Sequence, residues 1–446
     1  MQTIQEPARH IPVAATVNLC VIGGSCTGLF AAVRAGRLGL SVAIVEKQSC
    51  FGGVAASGLV NIWHSLHDFD HKQQIIAGLT AETIARLDKR QGVERSDIAS
   101  SAYRLDTELL KIELDKYAAE SGLQVFLHTM YAAPYLADGA LKGVFIENKD
   151  GRQAIVADFV IDASGDGDVA RDLELSCYRL PHMQPPTPGF KLLGDMRGLD
   201  IDGILQAHGA EFGLADDWGW GGRIPGNPTL AFRADTHVFD ADCSKAADLT
   251  KAEMEGRQQI LAVLDTLNKY TPNAGRLQLA ALCSTIGIRD SRHFDSDYRL
   301  NANDLLNGKA FSDAIAFGTY RVDIHHADDA GITFRDLDGN EYIHHDRISP
   351  PEHRQWRTGD DYARYYQIPF SVLVQRKYSN FLTAGRMINA DIDAFGAVRV
   401  MVNLNQIGEA AGVAAYTAVS DNAPVWALDT AKIKRLLVQG GSADVV

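Results

Sequence analysis

The sequence predicts an α/β protein whose main domain is built on a doubly wound sheet. Three observations near the N-terminus support this prediction. A short apolar run spans Val17 to Ile22 and stops at two glycines, a helix-compatible stretch spans Leu29 to Leu38, and a second apolar run spans Ser41 to Val45. Buried parallel strands are continuous apolar runs, and a strand, a helix and a second strand in this order form a β-α-β unit.

The following segments predict a β-meander inserted into that sheet. A stretch with helical apolar spacing, Asp106 to Ser121, starts with an acidic residue and ends at Gly122, which is a good C-terminal stop. Candidate strands then lead into the apolar run Phe159 to Ile161, and they span Gln124 to His128, Leu141 to Glu147 and Gln153 to Ala157.

The composition of the chain changes after Leu180. The proline-rich stretch Pro181 to Gly189 is poor helix or strand material, so it predicts a crossing into a second, inserted domain of the α+β type. Within that domain Lys245 to Lys269 is helical in character, whereas Thr333 to Asp360 is polar and histidine-rich and predicts a loop. Strand signals return at Phe381 to Thr383.

The bulk numbers describe an ordinary globular protein. A chain of 446 residues is long for one compact core, and 46% hydrophobic with 22% charged residues leaves ample apolar mass to enclose a large ligand. The net charge of -13 disfavours nucleic acid and anionic membrane surfaces as partners, and no apolar run reaches the roughly 18 residues of a membrane span. Residues Met1 to Thr16 lack the core of a signal peptide, so we expect an N-terminal arm and a cytoplasmic protein.

The cysteines predict neither a disulfide framework nor a metal site. All six are scattered, without a C-x-x-C pair and without metal-ligand spacing to histidine, and they are Cys20, Cys26, Cys50, Cys177, Cys243 and Cys283. We therefore expect reduced thiols and no bound metal.

The turn after the first strand carries most of a dinucleotide-binding fingerprint. It contains Gly23, Gly24, Ser25, Cys26, Thr27 and Gly28, and serine stands where the fingerprint has its second glycine. The first glycine makes the tight turn, the second lets backbone amides reach a pyrophosphate, and the last allows close packing of helix on strand. Glu46 ends the second strand eighteen positions after Gly28, where its carboxylate can accept hydrogen bonds from ribose hydroxyls, and Lys47 follows it.

Further segments resemble the FAD-dependent oxidoreductase family over most of the chain. They read VEKQSCFGGVAASGLV (45–60), IDASGDGDVA (161–170), STIGIRDSRHF (284–294) and AGRMINADIDAFGAVRVM (384–401). The resemblance implies non-covalent FAD in a Rossmann-type domain formed by residues 1–180 and 376–446, with residues 181–375 as the substrate or cap domain.

The resemblance also implies which turns approach the cofactor. Each is a small-residue turn after a strand, where the backbone can come close to a ligand. The expected cofactor residues outside the first turn are Glu46, Lys47, Gly52, Gly53, Ala163, Ser164, Gly165, Asp166, Gly385, Arg386, Arg399 and Val400. A last helix, about Asn403 to Thr417, is expected to point its amino end at the flavin, where its dipole would stabilise an anionic reduced ring.

One stretch departs from the family pattern. Members often carry a histidine and a glutamate in the stretch that matches Asn389 to Ala394, whereas this chain has Ile392 and Asp393 there. We therefore expect a substrate that differs from that of better-matching relatives.

Three sites are the candidates for substrate chemistry. Arg289 and Arg292, in one motif, would orient an anionic or strongly polar group, and His325 would move a proton. The alternatives are an internal salt bridge between Arg289 and Asp290, and a solvated loop at His325. His64 is the third candidate; a covalent flavin link there lacks any attachment context, and the thiols near the cofactor turns, Cys26 and Cys50, suit packing better than redox chemistry.

The predicted function is hydride transfer between a small polar organic substrate and N5 of FAD. No second glycine fingerprint follows a strand, so an unidentified electron donor or acceptor must dock at the flavin itself. The alternatives are a flavin monooxygenase reduced by external NAD(P)H and a non-catalytic flavin-binding sensor. The substrate, the direction of the reaction (dehydrogenase, oxidase or reductase) and homo-oligomerisation stay open.

Overall fold

A computed structural model of the chain describes residues 2–271, 275–327 and 331–444. Its main sheet has seven strands in the order β6-β2-β1-β9-β8-β7, and β22 pairs with β9 beside this path. The strands are β1 (Val13–Ile22), β2 (Val42–Val45), β6 (Gln124–Phe126), β7 (Met130–Ala137), β8 (Ala140–Asn148), β9 (Gly151–Asp162) and β22 (Phe381–Thr383). Strands β6, β2, β1, β9 and β22 are parallel, and the meander strands β7 and β8 are antiparallel. The predicted α/β class and the meander are therefore confirmed.

Strand β9 joins the meander to the parallel sheet. Its first half pairs with β8, and its last three residues pair with β22, so one twelve-residue strand replaces the two short segments that the sequence predicts. Strand β7 is absent from the prediction because its Pro134 argues against a strand. The proline is tolerated since β7 is the outer strand of the sheet. Strand β1 begins at Val13, so the last residues of the expected arm belong to the sheet.

Ten helices accompany the sheets in the described part of the chain. They are α1 (Cys26–Arg37), α2 (Gly78–Asp88), α3 (Thr107–Glu120), α4 (Asp168–Asp172), α5 (Ile201–His208), α6 (Ala246–Tyr270), α7 (Ala302–Leu306), α8 (Ile392–Val398), α9 (Met401–Asp421) and α10 (Thr430–Gln439). The predicted helices at α3, α6 and α9 are confirmed, and Asp106 caps α3 by accepting from the amide of Glu108 at 2.9 Å. None of the described helices combines the length and apolarity needed to cross a membrane.

Helices α1 and α9 pack together through two glycines one turn apart. A Cβ atom on Gly408 would lie 2.1 Å from the carbonyl oxygen of Thr27, and one on Gly412 would lie 2.1 Å from that of Ala31. The two backbones therefore approach more closely than any side chain allows. This contact fixes the amino end of α9 beside the turn that precedes α1.

The middle of the chain forms smaller antiparallel sheets. The sheet β12-β13-β11-β14 packs against α5 and α6, and the sheet β17-β18-β19-β20 follows it along the chain. The first comprises β11 (Phe190–Leu193), β12 (Trp220–Ile224), β13 (Asn227–Ala234) and β14 (Gln278–Leu282); the second comprises β17 (Val322–His325), β18 (Ile332–Arg335), β19 (Asn340–His344) and β20 (Glu352–Gln355). The remaining strands are β3 (Ile62–Trp63), β4 (Val93–Arg95), β5 (Tyr103–Leu105), β10 (Cys177–Tyr178), β15 (His293–Phe294), β16 (Ala314–Gly318) and β21 (Tyr366–Pro369).

The loop predicted from Thr333 to Asp360 is wrong, because β18, β19 and β20 run through it. Strand β18 does alternate, with Ile332 and Phe334 buried, but β20 is exposed along its whole length. An outer strand that is exposed to solvent on both faces shows no apolar alternation. Its sequence therefore carries no periodic signal that distinguishes it from a loop.

The division into two domains stays a prediction. The largest hydrophobic core contains residues from α1 and α9 together with Phe317 and Ile368, which lie on β16 and β21 inside the predicted cap. Strands β16 and β21 thus share their core with the nucleotide-binding elements.

Candidate cofactor and substrate site

The carboxyl ends of the parallel strands meet at one edge of the main sheet, and a cavity of about 470 Å³ opens there. It is lined by the turns that follow β1, β2, β9 and β22, by the amino end of α9, and by residues of β12, β13, β17 and β18. Open α/β sheets bind their ligands at this edge.

The turn after β1 requires glycine at two positions for steric reasons. Gly23 has a φ of +99°, and a Cβ there would lie 2.3 Å from the carbonyl oxygen of Ala163. A Cβ on Gly28 would lie 1.9 Å from the carbonyl oxygen of Gly23. The absence of a side chain at Gly28 therefore lets α1 pack directly against the turn. Gly28 itself does not line the cavity.

Ser25, the departure from the fingerprint, caps α1. Its hydroxyl accepts from the amide of Gly28 at 3.4 Å, which is a normal N-cap arrangement. Gly53 lies against it, because a Cβ on Gly53 would be 2.8 Å from the Cβ of Ser25. The serine thus holds the helix start and the glycine loop together while Cys26 and Thr27 face the cavity.

Glu46 braces the same turn from the end of β2. Its two carboxylate oxygens accept from the amides of Gly24 at 2.6 Å and Gln48 at 2.7 Å. Each oxygen keeps a second lone pair, so the side chain can still accept hydrogen bonds from a ribose. Lys47 next to it is exposed and brings a positive charge to the cavity.

Asp162 shapes the turn after β9. It is fully buried, and it accepts hydrogen bonds from the amides of Ser164, Val169 and Ala170 at 2.9 to 3.0 Å. Burial raises the pKa of Asp162 to about 6, even though these hydrogen bonds favour the ionised form. The turn built this way presents Ala163, Ser164 and Gly165 to the cavity.

Asp166 connects this turn to the one after β22. Its carboxylate accepts from Arg386 at 2.5 Å and from the hydroxyl of Ser291 at 2.7 Å. Burial opposes ionisation of Asp166, but the charges of Arg386 and Lys47 and the hydrogen bonds from Ser291 and Arg386 together outweigh burial and hold the pKa of Asp166 below its usual range. Gly385 precedes the arginine with a φ of +120°, which few other residues adopt.

The amino end of α9 offers polar groups that nothing in the described chain satisfies. Its N-cap residue, Val400, provides no side-chain cap. Asn405 lines the cavity with an exposure of only 1%, and neither its Nδ2 nor its Oδ1 has a hydrogen-bond partner among the described residues. Buried amides without partners are rare in native proteins, so Asn405 fits the polar edge of a bound cofactor.

All predicted cofactor residues except Gly24 and Gly28 line this cavity, and so do the substrate candidates Arg289, His325 and His64, whereas Arg292 does not. The lining set comprises Gly23, Ser25, Cys26, Thr27, Glu46, Lys47, Gly52, Gly53, Ala163, Ser164, Gly165, Asp166, Gly385, Arg386, Arg399 and Val400, together with His64, Arg289 and His325. Their roles stay predictions, but the fold brings them to one place.

Arg289 is held by neutral oxygens. Its Nη1 donates to the carbonyl oxygen of Pro185 at 2.9 Å and to the hydroxyl of Thr187, and it forms no salt bridge with Asp290. Asp290 instead lies 3.0 Å from Nε2 of His293. Burial, followed by the positive charge of Arg399, lowers the pKa of Arg289 to about 9, so an anion beside it would be stabilised strongly.

His325 lies in β17 and has an exposure of 5%, which rules out a solvated loop. Its Nε2 is 3.6 Å from Oδ1 of Asp323, and its Nδ1 is buried without a hydrogen-bond partner among the described residues. Burial and then the charge of Arg289 lower the pKa of His325 well below its usual value. The ring is therefore neutral at pH 7 and able to accept a proton.

His64 is a second neutral imidazole at the cavity. Its ring stacks on Tyr320 with centroids 3.9 Å apart, and its Nδ1 lies 2.6 Å from the carbonyl oxygen of Ser100. A carbonyl only accepts, so Nδ1 carries the hydrogen and Nε2 is left with a lone pair. Burial lowers the pKa of His64 to about 4.

Asp323 organises the substrate end of the cavity, and the sequence gives no sign of it. Its carboxylate accepts from the hydroxyl of Tyr320 at 2.5 Å and from Nη2 of Arg399 at 3.2 Å, besides lying near His325. No motif marks Asp323, although it lies only two positions before the predicted His325 along the chain.

A second buried histidine lies behind His325. The ring centroids of His237 and His325 are 4.7 Å apart, and Nδ1 of His237 is 2.7 Å from Oδ1 of Asp217. Burial lowers the pKa of His237 although Asp217 opposes the shift. His237 does not line the cavity itself.

Several residues that the sequence singled out lie elsewhere. Arg292 is buried behind the cavity, where its guanidinium donates to the carbonyl oxygens of Asp166 and Ser244 at 2.8 Å. Asp393 pairs with Arg335, and neither it nor Ile392 lines the cavity. Burial raises the pKa of the Cys26 thiol to about 12, which leaves it unreactive. No group of acidic, histidine or cysteine side chains in the described part of the chain could hold a metal ion.

Comparison with known families gives one extensive match. The family described as FAD dependent oxidoreductase matches residues 18–184 and 206–437, which is most of the chain. The matched region includes the turns after β1, β2, β9 and β22 and the amino end of α9.

Individual proteins are more distant. Digeranylgeranylglycerophospholipid reductase 2 of Methanothermobacter thermautotrophicus is 30% identical over 160 residues, which span 33% of this chain and 39% of that relative. A geranylgeranyl bacteriochlorophyll reductase-like structure from Thermoplasma acidophilum covers 95% of this chain and 84% of its own, with 13% identity and a TM-score of 0.48. The myxobacterial chondrochloren halogenase, an FAD-dependent halogenase, covers 96% and 79% with 12% identity and a TM-score of 0.46.

Proposed function

This chain belongs to the FAD dependent oxidoreductase family, and we propose that it transfers a hydride between a small polar organic substrate and N5 of its FAD. FAD supplies the capacity to accept or donate the hydride when it is bound. The observation that carries the proposal is the meeting of Arg289, Arg399 and two neutral histidines in the cavity that the cofactor turns also line.

The residues of the first turn and of the strand ends would hold FAD. The amides at the start of α1, the positive charge of Lys47 and the helix dipole suit a pyrophosphate, and the remaining lone pairs of Glu46 suit a ribose. Arg386 and the unpartnered amide of Asn405 add donors farther along the cavity. In this proposal the cofactor is held non-covalently, since no attachment context surrounds His64 in the sequence.

Arg289 would bind an anionic or strongly polar group of the substrate. Arg289 forms no ion pair within 4 Å with a described carboxylate, although the charges of Asp323 and Asp217 act on it, whereas Arg399 donates to Asp323. A guanidinium that donates only to neutral oxygens keeps most of its charge for a ligand. The substrate would thereby be fixed in one orientation.

His325 would take up or return the substrate proton that accompanies hydride transfer. The neutral ring lies beside Asp323, which can stabilise the positive charge that develops when the ring accepts a proton. His64 is an alternative for the same role because its Nε2 lone pair is free. The two differ in their neighbours: Tyr320 stacks on His64, whereas Trp218 packs edge-on against His325.

Anaerobic mixing of the oxidised protein with a panel of metabolites tests the proposal. A substrate should bleach the flavin absorbance without oxygen. With that substrate, Arg289→Ala and His325→Ala should each keep full FAD content and slow bleaching by about a hundredfold, the scale of a lost proton-transfer or orienting group. His64→Gln separates the two histidines, since only the residue that moves the proton should show the large loss.

Matched controls lie on the exposed strand β20. Arg354→Ala and His353→Ala should leave the rate of bleaching unchanged, since neither side chain lines the cavity. Bleaching only by NADH or NADPH, followed by oxygen consumption with hydroxylation of a substrate, would support a monooxygenase instead. A flavin that no small molecule reduces would support a sensor.

A further inference from the structure

The substrate end of the cavity contains an arginine that has no ion-pair partner within 4 Å among the described residues. Arg321 lines the cavity, and its guanidinium carbon lies 3.5 Å from the centroid of the Phe334 ring. Its Nε is buried, and it makes no hydrogen bond and no ion pair within 4 Å to any described residue. Asp336 is a nearby acid that forms no ion pair with Arg321: burial raises the pKa of Asp336, and the charge of Arg321 opposes that shift.

An aromatic wall adjoins this arginine. Trp218 lies edge-on to Phe334 with ring centroids 5.9 Å apart, and Trp220 lies 5.0 Å from Phe232. All four rings line the cavity, and both tryptophans are only half-buried. The ring surface that lines the cavity is available for an apolar ligand to cover.

The geometry points to a specific substrate class: we infer that this end of the cavity binds an organic carboxylate with a flat apolar body, which Arg321 and Trp218 recognise. A guanidinium stacked on a ring keeps its in-plane N–H groups free, and these match the two oxygens of a carboxylate. The flat body would lie against Trp218 and displace water from its ring. The inference rests on the proposed function only in taking this cavity as the substrate site, and it adds the chemical class of the substrate.

Neither group alone would explain the arrangement. A purely apolar ligand would cover Arg321 and remove water from its charge without supplying a partner, which is costly. A small anion such as acetate would pair with the charge of Arg321 but leave the Trp218 ring exposed to water. Only a ligand that carries both features satisfies the two parts of the site together.

Titration with unreactive probes tests the inference. Benzoate carries both features, benzamide has the same shape without the charge, and acetate has the charge without the flat body. Calorimetric titration of the oxidised, FAD-loaded protein should show benzoate binding at least about tenfold more tightly than either of the other probes.

Variants assign each preference to its residue. Arg321→Gln should remove the preference for benzoate over benzamide, and Arg321→Lys should retain part of it because the charge remains. Trp218→Leu should remove the preference for benzoate over acetate, and Trp218→Phe should retain it. Equal FAD content and an unchanged melting temperature establish that each variant is folded before its preference is compared.

Arg357→Gln is the matched control, because Arg357 also lies over an aromatic ring, 4.8 Å from the centroid of Trp356, but does not line the cavity. It should leave both preferences unchanged. The inference is overturned if benzoate binds no better than benzamide and acetate, or if Arg321→Gln keeps the preference for the charged probe. Benzoate binding requires no hydride transfer, so failure of the bleaching test with these preferences intact would refute the proposed reaction and leave this inference standing.

Discussion

Gly28→Ala should both destabilise the protein and weaken its hold on FAD, because this glycine sets the distance between α1 and the cofactor turn. The added Cβ would lie 1.9 Å from the carbonyl oxygen of Gly23, whereas ordinary van der Waals contact begins at 3.4 Å. The Cβ of Ala163, at 3.0 Å, blocks relief on another side. Since the closest atom belongs to the backbone, α1 itself must shift.

The magnitude follows from two contributions. Overpacking of a core contact costs about 1–3 kcal/mol, and a rigid backbone neighbour places this case near 3 kcal/mol in the free energy of unfolding of the apoprotein. The shift of α1 moves its amides away from the pyrophosphate, and we expect FAD to bind at least about tenfold more weakly. At an FAD concentration of 100 times the wild-type Kd, the cofactor stabilises the wild type by about 2.7 kcal/mol and the variant by only about 1.4 kcal/mol.

Urea unfolding with and without added FAD separates these contributions. Gly209→Ala is the control, because Gly209 has an ordinary φ of -59° and its nearest neighbour, the Cβ of Leu214, would be 3.3 Å from the new atom. It should change stability by less than about 0.5 kcal/mol. Wild-type stability and wild-type FAD affinity in a folded Gly28→Ala variant would refute the role given to this turn.

Three further perturbations address other parts of the site. Glu46→Gln should weaken FAD binding by about tenfold, because an NH₂ group replaces one of the two carboxylate oxygens that accept from the amides of Gly24 and Gln48. FAD fluorescence titration measures the affinity, and an unchanged affinity would contradict the bracing role. Acid precipitation should release all FAD into the supernatant, since the predicted cofactor is not covalently attached; a yellow pellet would be the contrary result. Burial lowers the pKa of His64 from 6.5 to about 4, so between these values the unfolded chain binds more protons and stability falls as the pH drops. His64→Gln should reduce that loss, measured by urea unfolding at pH 6.5 and pH 4, by up to about 3 kcal/mol, and an unchanged loss would contradict the assignment.

The fold and the cofactor turns could be predicted because their signals are local. Gly23, Gly28 and Glu46 belong to one β-α-β unit, and the contact between the two glycines arises within a single turn. Even Ser25, which breaks the fingerprint, has a local explanation as the cap of α1. The two missed strands have local reasons too. Pro134 argues against a strand at β7, and β20 buries no apolar face.

The candidate substrate site could be predicted only in part. Arg289, His325 and His64 were named from their motifs and residue types, and all three line the cavity. Of the residues around them, Arg399 was named only as a cofactor residue, and Tyr320 and Asp323 were not named. Asp217 and His237 come from separate segments, and no spacing in the sequence connects them to His325, against which His237 packs.

The sequence by itself therefore determined the α/β class and the nucleotide-binding turn, because each depends on contacts between residues that are near one another along the chain, and the resemblance of four further segments to one family indicated FAD. Only the tertiary structure decided which side chains share the substrate end of the cavity. Trp218 precedes β12, Arg321 precedes β17 and Phe334 lies in β18, and they meet because two separate antiparallel sheets close over the same edge of the parallel sheet. A charged side chain and an aromatic ring that become neighbours only through packing leave no periodicity or motif in the sequence. The strength of their interaction depends on burial and distance, and not on their order along the chain.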